Sequence, residues 1–222
     1  MRVPWKSFEA YLSAMTQRHR YNVRKKLRQK ESAGISTGIV GPDQALAWVG
    51  DYVTLCEKVA QHSKEYPRES IGEDYHRAMA RHLAGQSHWL QYFNGEKLVA
   101  FVHLLQHAGT LHYQYVGLDY QVSQETALYF NSFHDTIQFA IQQGIPKIEA
   151  GVTTYRAKSA AGFSVIPQRM YLWHKSARLS ALVAAAFHKF TDYDTGTLHQ
   201  VFNDAAAQTL WDGQARFVEL PR

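Results

Sequence analysis

The sequence predicts a mixed α/β fold, in which a mostly antiparallel central sheet is flanked by helices and followed by a C-terminal helical extension. Two observations support this prediction. Residues 88–117 read as three alternating strands joined by tight turns, and residues 115–151 read as strand, helix and strand. Because a helical crossover joins parallel strands, the last strand should run parallel to its neighbour in an otherwise antiparallel sheet.

The strand–helix–strand unit has the clearest pattern in the chain. Ser123 is predicted to cap the helix and Gly144 to end it, and a strand over residues 145–151 follows. Between the two helix signals, apolar residues recur at helical spacing: Phe130, Phe133, Ile137, Ala140 and Ile141. The helix should therefore begin beside the end of the preceding strand. Such a place attracts anions, because unpaired N–H groups and the positive end of the helix dipole meet there.

The three preceding strands are predicted over residues 88–93, 98–106 and 110–117. Asn94-Gly95 is a strong hairpin signal between the first two strands, and Ala108-Gly109 separates the second from the third. Strict alternation places Leu111, Tyr113 and Tyr115 on one face of the last strand.

A basic helix is predicted over residues 7–33, with Ser7 as its cap. Seven Lys and Arg residues fall within residues 18–30, and three of them form a stripe at i, i+4 spacing: Arg20, Arg24 and Arg28. Stacked like charges cost a helix a few tenths of a kcal/mol per pair. The stripe indicates either a solvated face or a site for a polyanion, such as phosphate on a nucleotide, a nucleic acid or a lipid headgroup. Both interpretations stay open.

The remaining elements connect or follow these two units. The pattern predicts a strand over residues 35–40, a helix capped by Asp43, a polar loop over 62–72, a helix over 73–83, a strand over 169–174, a helix capped by Ser176 and a helix over 198–210. Residues 1–175 are predicted to form one domain, and residues 176–222 a helical extension packed on it.

Composition excludes several classes of protein. The net charge of +5 is concentrated in the basic helix, since 17 positive residues outside that cluster face 19 negative ones. The single cysteine, Cys56, excludes an internal disulfide and fits a reducing compartment. No signal peptide and no apolar run of the ~20 residues that a membrane span requires are found, so we expect a cytoplasmic protein. HExxH, CxxC, Walker-type and GxSxG motifs are all missing, so the sequence does not support a metalloprotease, a zinc finger, a P-loop protein or an α/β-hydrolase. No metal site is expected.

The order of these elements, closing on Gly162-Phe163, resembles the GNAT acyltransferase fold over roughly residues 5–175. Four segments are more narrowly similar to its FemAB-like and BioF2-like acetyltransferase branch: SFEAYLSAMTQRHRYNVRKKLRQKE, YFNGEKLVAFVHLL, LYFNSFHDTIQFAIQQG and KIEAGVTTYRAKSAAGF. Two features depart from ordinary GNAT enzymes. The phosphate-binding loop LDYQVSQETA has no glycine after Gly117, and residues 158–162 contain no tyrosine to act as the general acid.

The resemblance implies an N-acyltransferase that moves an acyl or aminoacyl group from a thioester or ester donor to an amine of a small molecule or amino acid. Acyl-CoA would be a co-substrate, with no permanently bound cofactor. Two alternatives stay open. One is an aminoacyl-tRNA-dependent transferase of the FemAB type, for which tRNA or an acyl-carrier protein would be a partner. The other is a catalytically inactive GNAT-like binding module. A homodimer is compatible with each.

The candidate site residues follow from chemistry and from the resemblance. Acyl transfer to an amine needs a base, donors for the oxyanion and positioning. Glu149 is the first candidate for the base, its alternative being a surface carboxylate paired with Lys147 or Arg156. The catalytic set is Glu149, Tyr115 and Tyr155; the donor-binding set is Val116, Gly117, Ser123, Gln124, Glu125, Thr126, Arg156 and Lys158; the acceptor-binding pair is His103 and Tyr113.

Overall fold

A computed structural model of the chain describes residues 1–62, 71–152, 154–164, 174–187 and 201–211. Most of the polar loop predicted over residues 62–72 and nearly all of the strand predicted over 169–174 lie outside the described residues. Within them, no helix is both long enough and apolar enough to cross a membrane.

Helices and strands alternate much as the sequence predicts. The helices are α1 Phe8–Ala14, α2 Gln17–Ser32, α3 Pro42–Ala45, α4 Val49–His62, α5 Glu73–His82, α6 Tyr120–Thr126, α7 Leu128–Gln142, α8 Tyr155–Ala160, α9 Ala177–Phe187 and α10 Asp204–Trp211. The strands are β1 Ile35–Val40, β2 Ser87–Asn94, β3 Lys97–His107, β4 Thr110–Leu118 and β5 Lys147–Glu149.

The five strands form one mixed sheet in the order β1-β2-β3-β4-β5. The first four strands pair antiparallel, and β5 pairs parallel to β4. This last pairing is short: it begins at Thr110 and Lys147 and ends at His112 and Glu149, although β4 continues to Leu118. β5 therefore ends where the pairing ends, and it is shorter than the strand predicted over residues 145–151. The predicted mixed sheet is confirmed, whereas the divergence of the parallel pair stays a prediction.

A β-bulge in β4 overturns the prediction that Tyr113 and Tyr115 share a face. Tyr115 pairs with His103 and Tyr113 pairs with Leu104, which leaves Gln114 as an extra residue in β4. One inserted residue reverses the alternation of side chains beyond it. Tyr113 accordingly packs in the same core as Leu111, whereas Tyr115 packs against the core on the opposite face of the sheet.

The sheet separates two hydrophobic cores. The first lies between the sheet and helices α1, α2 and α7, and the second lies beneath α4 and α5. Fully buried side chains of the first core include Tyr11, Leu104, Leu111, Phe133 and Ile137; those of the second include Tyr52, Trp89 and Phe101. Burial of large aromatic side chains on both faces makes the sheet a rigid platform for the strand ends that it presents.

The N-terminal helix is broken in two, whereas a single helix was predicted over residues 7–33. Ser7 caps α1 as expected, since its Oγ accepts from Ala10 N at 3.1 Å. The break comes at Met15, which forms an isolated β-bridge with Phe202. On either side of that bridge, Thr16 N donates to Val201 O at 2.9 Å and Asn203 N donates to Ala14 O at 2.9 Å. Backbone groups that would have continued the helix are thus paired with a distant segment.

The start of the next helical region also differs from the prediction. Asp43 does not cap the helix, because Gly41 occupies the N-cap position and Pro42 the first helical position. A proline is favoured there since its missing N–H would have had no helical partner. A short 3-10 turn over Leu46–Trp48 then leads into α4.

Candidate functional site

A cavity of about 700 Å³ lies beside the part of β4 that follows its last pairing with β5. Val116 and Leu118 line it from β4, and Thr154 lines it from the segment that follows β5. The other lining residues come from α2, α4 and the α6–α7 region: Asn22, Lys25, Lys26, Gln29, Val59, His62, Tyr120, Ser123, Gln124, Ala127, Tyr129 and Phe130. This volume is in the range of pockets that hold a small molecule or cofactor.

The N-terminus of α7 faces this cavity through Ala127, Tyr129 and Phe130. Ala127 adopts a left-handed conformation with φ of 54°, which separates α6 from α7. Ser123 is therefore inside α6 and is not the N-cap residue that the sequence predicted. Its Oγ nevertheless accepts from Tyr129 N at 3.3 Å, so it still satisfies one of the first amides of α7. The positive end of a 15-residue helix is directed at the cavity.

One face of α2 forms another wall of the cavity. Asn22, Lys25, Lys26 and Gln29 are spaced i, i+3, i+4 and i+7, so they lie on one side of the helix. Lys26 Nζ is 3.5 Å from the centroid of the Phe130 ring, and burial lowers the pKa of this ammonium group. Two cations and the α7 N-terminus therefore line the same space, which suits an anionic ligand.

The predicted polyanion stripe points elsewhere. Arg20, Arg24 and Arg28 are not among the residues that line the cavity. Arg24 forms an ion pair with Glu9, and Arg20 Nη1 donates to Ser13 O at 3.4 Å. Sequence reasoning found the basic helix but missed Lys25 and Lys26, because both sets of cations occur at helical spacing and only the packing of α2 distinguishes them.

A hydrogen bond spans the cavity between its two sides. Tyr129 Oη and Thr154 Oγ1 are 2.6 Å apart, which joins the first turn of α7 to the segment after β5. Thr154 has φ of 48°, a left-handed conformation that a β-branched residue rarely adopts. Strain of this kind concentrates at functional sites, where surrounding contacts maintain it. Neither residue was singled out from the sequence.

Aromatic and charged groups surround the end of β4. The His62 and Tyr120 rings are stacked, with centroids 3.8 Å apart. Asp119 precedes α6 as its N-cap residue and accepts from Lys58 Nζ at 2.8 Å. This hydrogen bond is the main reason why the pKa of Asp119 is lowered, so the carboxyl group stays ionised. The contact ties α4 to the turn that enters α6.

Glu149 lies at the end of the paired part of β5 and does not line the cavity. Its Oε2 is 3.5 Å from His112 Nδ1, and its side chain is 44% exposed. Within the described residues, Glu149 therefore contacts a histidine and forms no salt bridge with Lys147 or Arg156. The adjacent Leu111 and Ile148 are fully buried in the first core. Alternation therefore places His112 and Glu149 on the opposite face of the sheet, which is also the face of Tyr115.

The other two predicted catalytic residues lie in different elements, Tyr115 in β4 and Tyr155 in α8. Tyr115 is partly buried against the second core, and its ring is edge-on to Tyr75 with centroids 5.1 Å apart. Tyr155 is the first residue of α8 and directly follows Thr154.

The predicted acceptor residues are both buried. Tyr113 Oη is 2.8 Å from Ser132 Oγ, and its ring stacks on Phe133 in the first core, so it is a packing residue. His103 is stacked on Trp89, and its Nδ1 is 3.3 Å from Tyr75 Oη. Burial lowers the pKa of His103 to about 3, so this imidazole is neutral. Neither side chain reaches the cavity.

The predicted donor-binding residues divide into two groups. Val116, Ser123 and Gln124 line the cavity. The others do not line it. Glu125 and Arg156 are exposed elsewhere on the surface, and Gly117 has no side chain. Two side chains make hydrogen bonds to nearby backbone: Thr126 Oγ1 donates to Val122 O at 2.6 Å, and the Nζ of buried Lys158 donates to Gly151 O at 3.1 Å and to Val152 O at 3.0 Å.

Several solved structures are similar to this fold. One is a possible acetyltransferase from Clostridium difficile 630, with a TM-score of 0.47, 12% identity, and coverage of 63% of this chain and 97% of that chain. Another is an aminoglycoside acetyltransferase from an uncultured soil metagenomic sample, with a TM-score of 0.46, 10% identity, and coverage of 64% and 96%. A third is the C-terminal domain of a putative lysylphosphatidylglycerol synthetase from Agrobacterium fabrum, with a TM-score of 0.45, 14% identity, and coverage of 90% and 60%.

Sequence comparison identifies the family directly. No curated protein matches the chain. Residues 17–159, however, match the model of a family described as acetyltransferase (GNAT) domain. This segment runs from the start of α2 almost to the end of α8 and so includes the cavity and both strands of the parallel pair. Because the match spans more than half of the chain, the protein belongs to the acetyltransferase (GNAT) domain family and is an acyltransferase.

Proposed function

We propose that this acyltransferase takes its acyl group from a CoA thioester and transfers it to the amine of a small molecule or amino acid. One observation carries the proposal: the pairing of β4 with β5 ends at His112 and Glu149, and a cavity with two lysines and a helix N-terminus lies beside the part of β4 beyond that point. The anionic end of CoA would lie against α7 and α2, and its thioester arm would extend along β4.

The end of β4 favours an extended donor with amide groups. Beyond His112, β4 remains paired with β3 on one side, and β5 does not continue along the other side. An acyl-pantetheine arm carries two amides and a thioester carbonyl, so it is suited to lie extended along the end of β4, next to the cavity-lining residues Val116 and Leu118.

The phosphate end of the donor requires positive potential without a glycine-rich loop. Lys25 and Lys26 are contributed by α2, and the first amides of α7 are contributed by the region around Ala127. Helix N-termini bind phosphate groups through such amides. In this proposal the two lysines of α2 compensate for the missing glycines of the loop after Gly117.

The reaction removes two protons from the acceptor nitrogen and supplies one to the leaving thiolate. The acceptor ammonium loses one proton to a base, and the neutral amine attacks the thioester carbonyl and forms a C–N bond. The nitrogen then loses its second proton as the C–S bond breaks, and the released thiolate takes up one proton. Glu149 is proposed as the base or as the carboxylate that binds the acceptor ammonium, because it is exposed at the point where the pairing of β4 with β5 ends. A backbone N–H of β4 would stabilise the oxyanion. Tyr115 and Tyr155 remain candidates for the proton donor to the thiolate.

The direct test is an assay with three donors and one amine pool. The purified chain is incubated with acetyl-CoA, with an acylated carrier protein or with aminoacyl-tRNA, and the amines are then analysed by mass spectrometry. The proposal predicts an acylated amine and free CoA thiol with acetyl-CoA. Product from aminoacyl-tRNA alone would replace this proposal with the FemAB-type alternative. Product from the carrier protein alone would change the donor while retaining the reaction.

A further inference from the structure

A buried ion pair fastens the lysine-bearing helix α2 to α7. Lys30 Nζ is 3.0 Å from Asp135 Oδ1 and 2.9 Å from Oδ2. The same ammonium donates to Thr37 Oγ1 at 3.3 Å, and Tyr92 Oη donates to Asp135 at 2.8 Å. Both charged side chains are nine-tenths buried or nearly so. All three hydrogens of the ammonium are thus used, and the carboxylate accepts from two side chains.

This polar attachment is needed because α2 has little apolar surface facing the core. Among its 16 residues, only Val23 and Lys30 are buried, with Leu27 partly buried. Most helices are held by a broad apolar stripe. Here a second polar contact supplements the ion pair, since Asn131 Nδ2 donates to Lys26 O at 2.9 Å. α2 is therefore attached to α7 at two positions, Lys26 and Lys30, and both attachments are polar.

The two attachments lie at Lys26, within the part of α2 that lines the cavity, and at Lys30, just beyond it. Lys30 comes one turn after Lys25 and Lys26, a separation of about 6 Å along the helix axis. On α7, Asp135 comes one turn after Asn131. Any rotation or sliding of α2 that moved Lys25 and Lys26 out of the cavity would also pull the Lys30 ammonium away from Asp135. The buried pair therefore determines where the cavity cations lie.

We infer that Lys30 and Asp135 are positioning residues for acyl-donor binding: their pair holds α2 in the one register that presents Lys25 and Lys26 to the cavity. This inference rests on the proposed function for the identity of the ligand. Its physical basis is that a buried ion pair adds little stability over apolar side chains of similar size but imposes a specific arrangement. The pair touches neither the donor nor the reacting atoms, so its effect is exerted through α2.

The test compares breaking the pair with replacing it. Asp135→Asn should destabilise the chain, because it leaves the Lys30 charge buried without a counterion. The double variant Lys30→Met with Asp135→Leu removes both charges and should recover most of that stability. In the double variant, KM for acetyl-CoA should rise about tenfold with kcat nearly unchanged, and amide hydrogen exchange in α2 should accelerate at least about tenfold relative to α7.

A matched control separates positioning from general destabilisation. Tyr52→Phe removes the buried hydrogen bond from Gln91 Nε2 to Tyr52 Oη, which is 2.6 Å long and lies in the second core. It should lower stability without changing KM for acetyl-CoA or exchange in α2. A stable double variant with wild-type KM and wild-type exchange in α2 would overturn the inference.

Failure of the proposed function has a different signature. If the wild-type chain neither binds nor uses acetyl-CoA, the donor assignment is wrong. Hydrogen exchange in α2 would then decide the role of the pair by itself: acceleration in the double variant supports the positioning role, and unchanged exchange refutes it.

Discussion

His112 Nδ1 lies 3.5 Å from Glu149 Oε2 at the last position where β4 and β5 pair. Each side chain keeps some contact with solvent, at 28% and 44% exposure. β5 ends at this pair. A carboxylate with a histidine partner therefore stands at the point where a thioester lying along the rest of β4 would be reached from the opposite face of the sheet. This relationship makes Glu149 the candidate base to test first.

Glu149→Gln should keep the fold and lower the acyl-transfer rate roughly 10²-fold, the low end of what a positioned general base contributes. The deficit should shrink as the pH approaches the pKa of the acceptor amine, because a neutral amine no longer needs a base. Steady-state kinetics across pH measures this. A higher KM with unchanged kcat would indicate binding of the acceptor ammonium instead. Wild-type values of both constants would show that Glu149 is only a surface residue.

Stability should fall with acid because three buried histidines are held neutral. Burial lowers the pKa of His76 to about 4 and those of His103 and His134 to about 3. The unfolded chain, with histidine pKa values near ~6.5, binds protons that the folded chain cannot. The stability that the neutral histidines contribute should therefore be fully present above pH ~6.5. As the pH falls from ~6.5 toward 4, the free energy of unfolding should decrease by about 1.4 kcal/mol per histidine per pH unit.

Urea denaturation at several pH values measures this slope. His76→Phe should reduce this slope by about 1.4 kcal/mol per pH unit, the value for one proton. His107→Gln, at an exposed position, should leave the slope unchanged. A free energy of unfolding that stays constant between neutral pH and the folded pKa values would contradict the assignment of these three imidazoles as neutral.

Gly117 is predicted to be intolerant of any side chain. A Cβ there would lie 2.3 Å from Phe101 Cε1 and 2.7 Å from Leu55 Cβ, in the second core. Gly117→Ala should reduce the free energy of unfolding by about 1–3 kcal/mol or more, as overpacking does. Gly38→Ala is the matched control, since Gly38 is also a strand glycine but has open space around its Cβ. Equal effects of the two substitutions would contradict this reading of the packing.

The bridge from Tyr129 to Thr154 should affect the donor site more than the fold. Tyr129→Phe removes the hydroxyl that lies 2.6 Å from Thr154 Oγ1 at an exposed position. We expect KM for acetyl-CoA to rise a few-fold with little change in melting temperature, because the two sides of the cavity lose their connection. Tyr21→Phe, on the exposed surface of α2, serves as the control. Unchanged KM in Tyr129→Phe would show that the bridge has no role in donor binding.

Local signals predicted the strands and most helix ends. Asn94-Gly95 fixes the β2–β3 hairpin, and Gly144, with φ of 64°, follows the end of α7 as expected. The Gln114 bulge was not predictable in this way, because it arises from how β4 pairs with β3. The break at Met15 depends on Phe202, which is far away in the sequence.

The site was only partly predictable for a related reason. Family resemblance identified the β4 end and Ser123, since the order of elements positions them. It did not identify Lys25 and Lys26, because the orientation of α2 is set by a buried lysine. Hydrophobic patterning places charged residues at the surface, so the sequence groups Lys30 with the other cations of the basic helix, as part of a solvated face or of a polyanion site.

The central claim is that the cavity beside β4 binds the acyl donor. Its most direct test is the CoA affinity of a Lys25→Gln, Lys26→Gln double variant, measured by calorimetry at two salt concentrations. Arg28→Gln is the control, because Arg28 is exposed on the same helix and does not line the cavity. We expect Kd to rise about tenfold or more in the double variant, with a weaker salt dependence, and to change less than about twofold in the control. A folded double variant with the wild-type Kd, or an equal loss in Arg28→Gln, would contradict the claim.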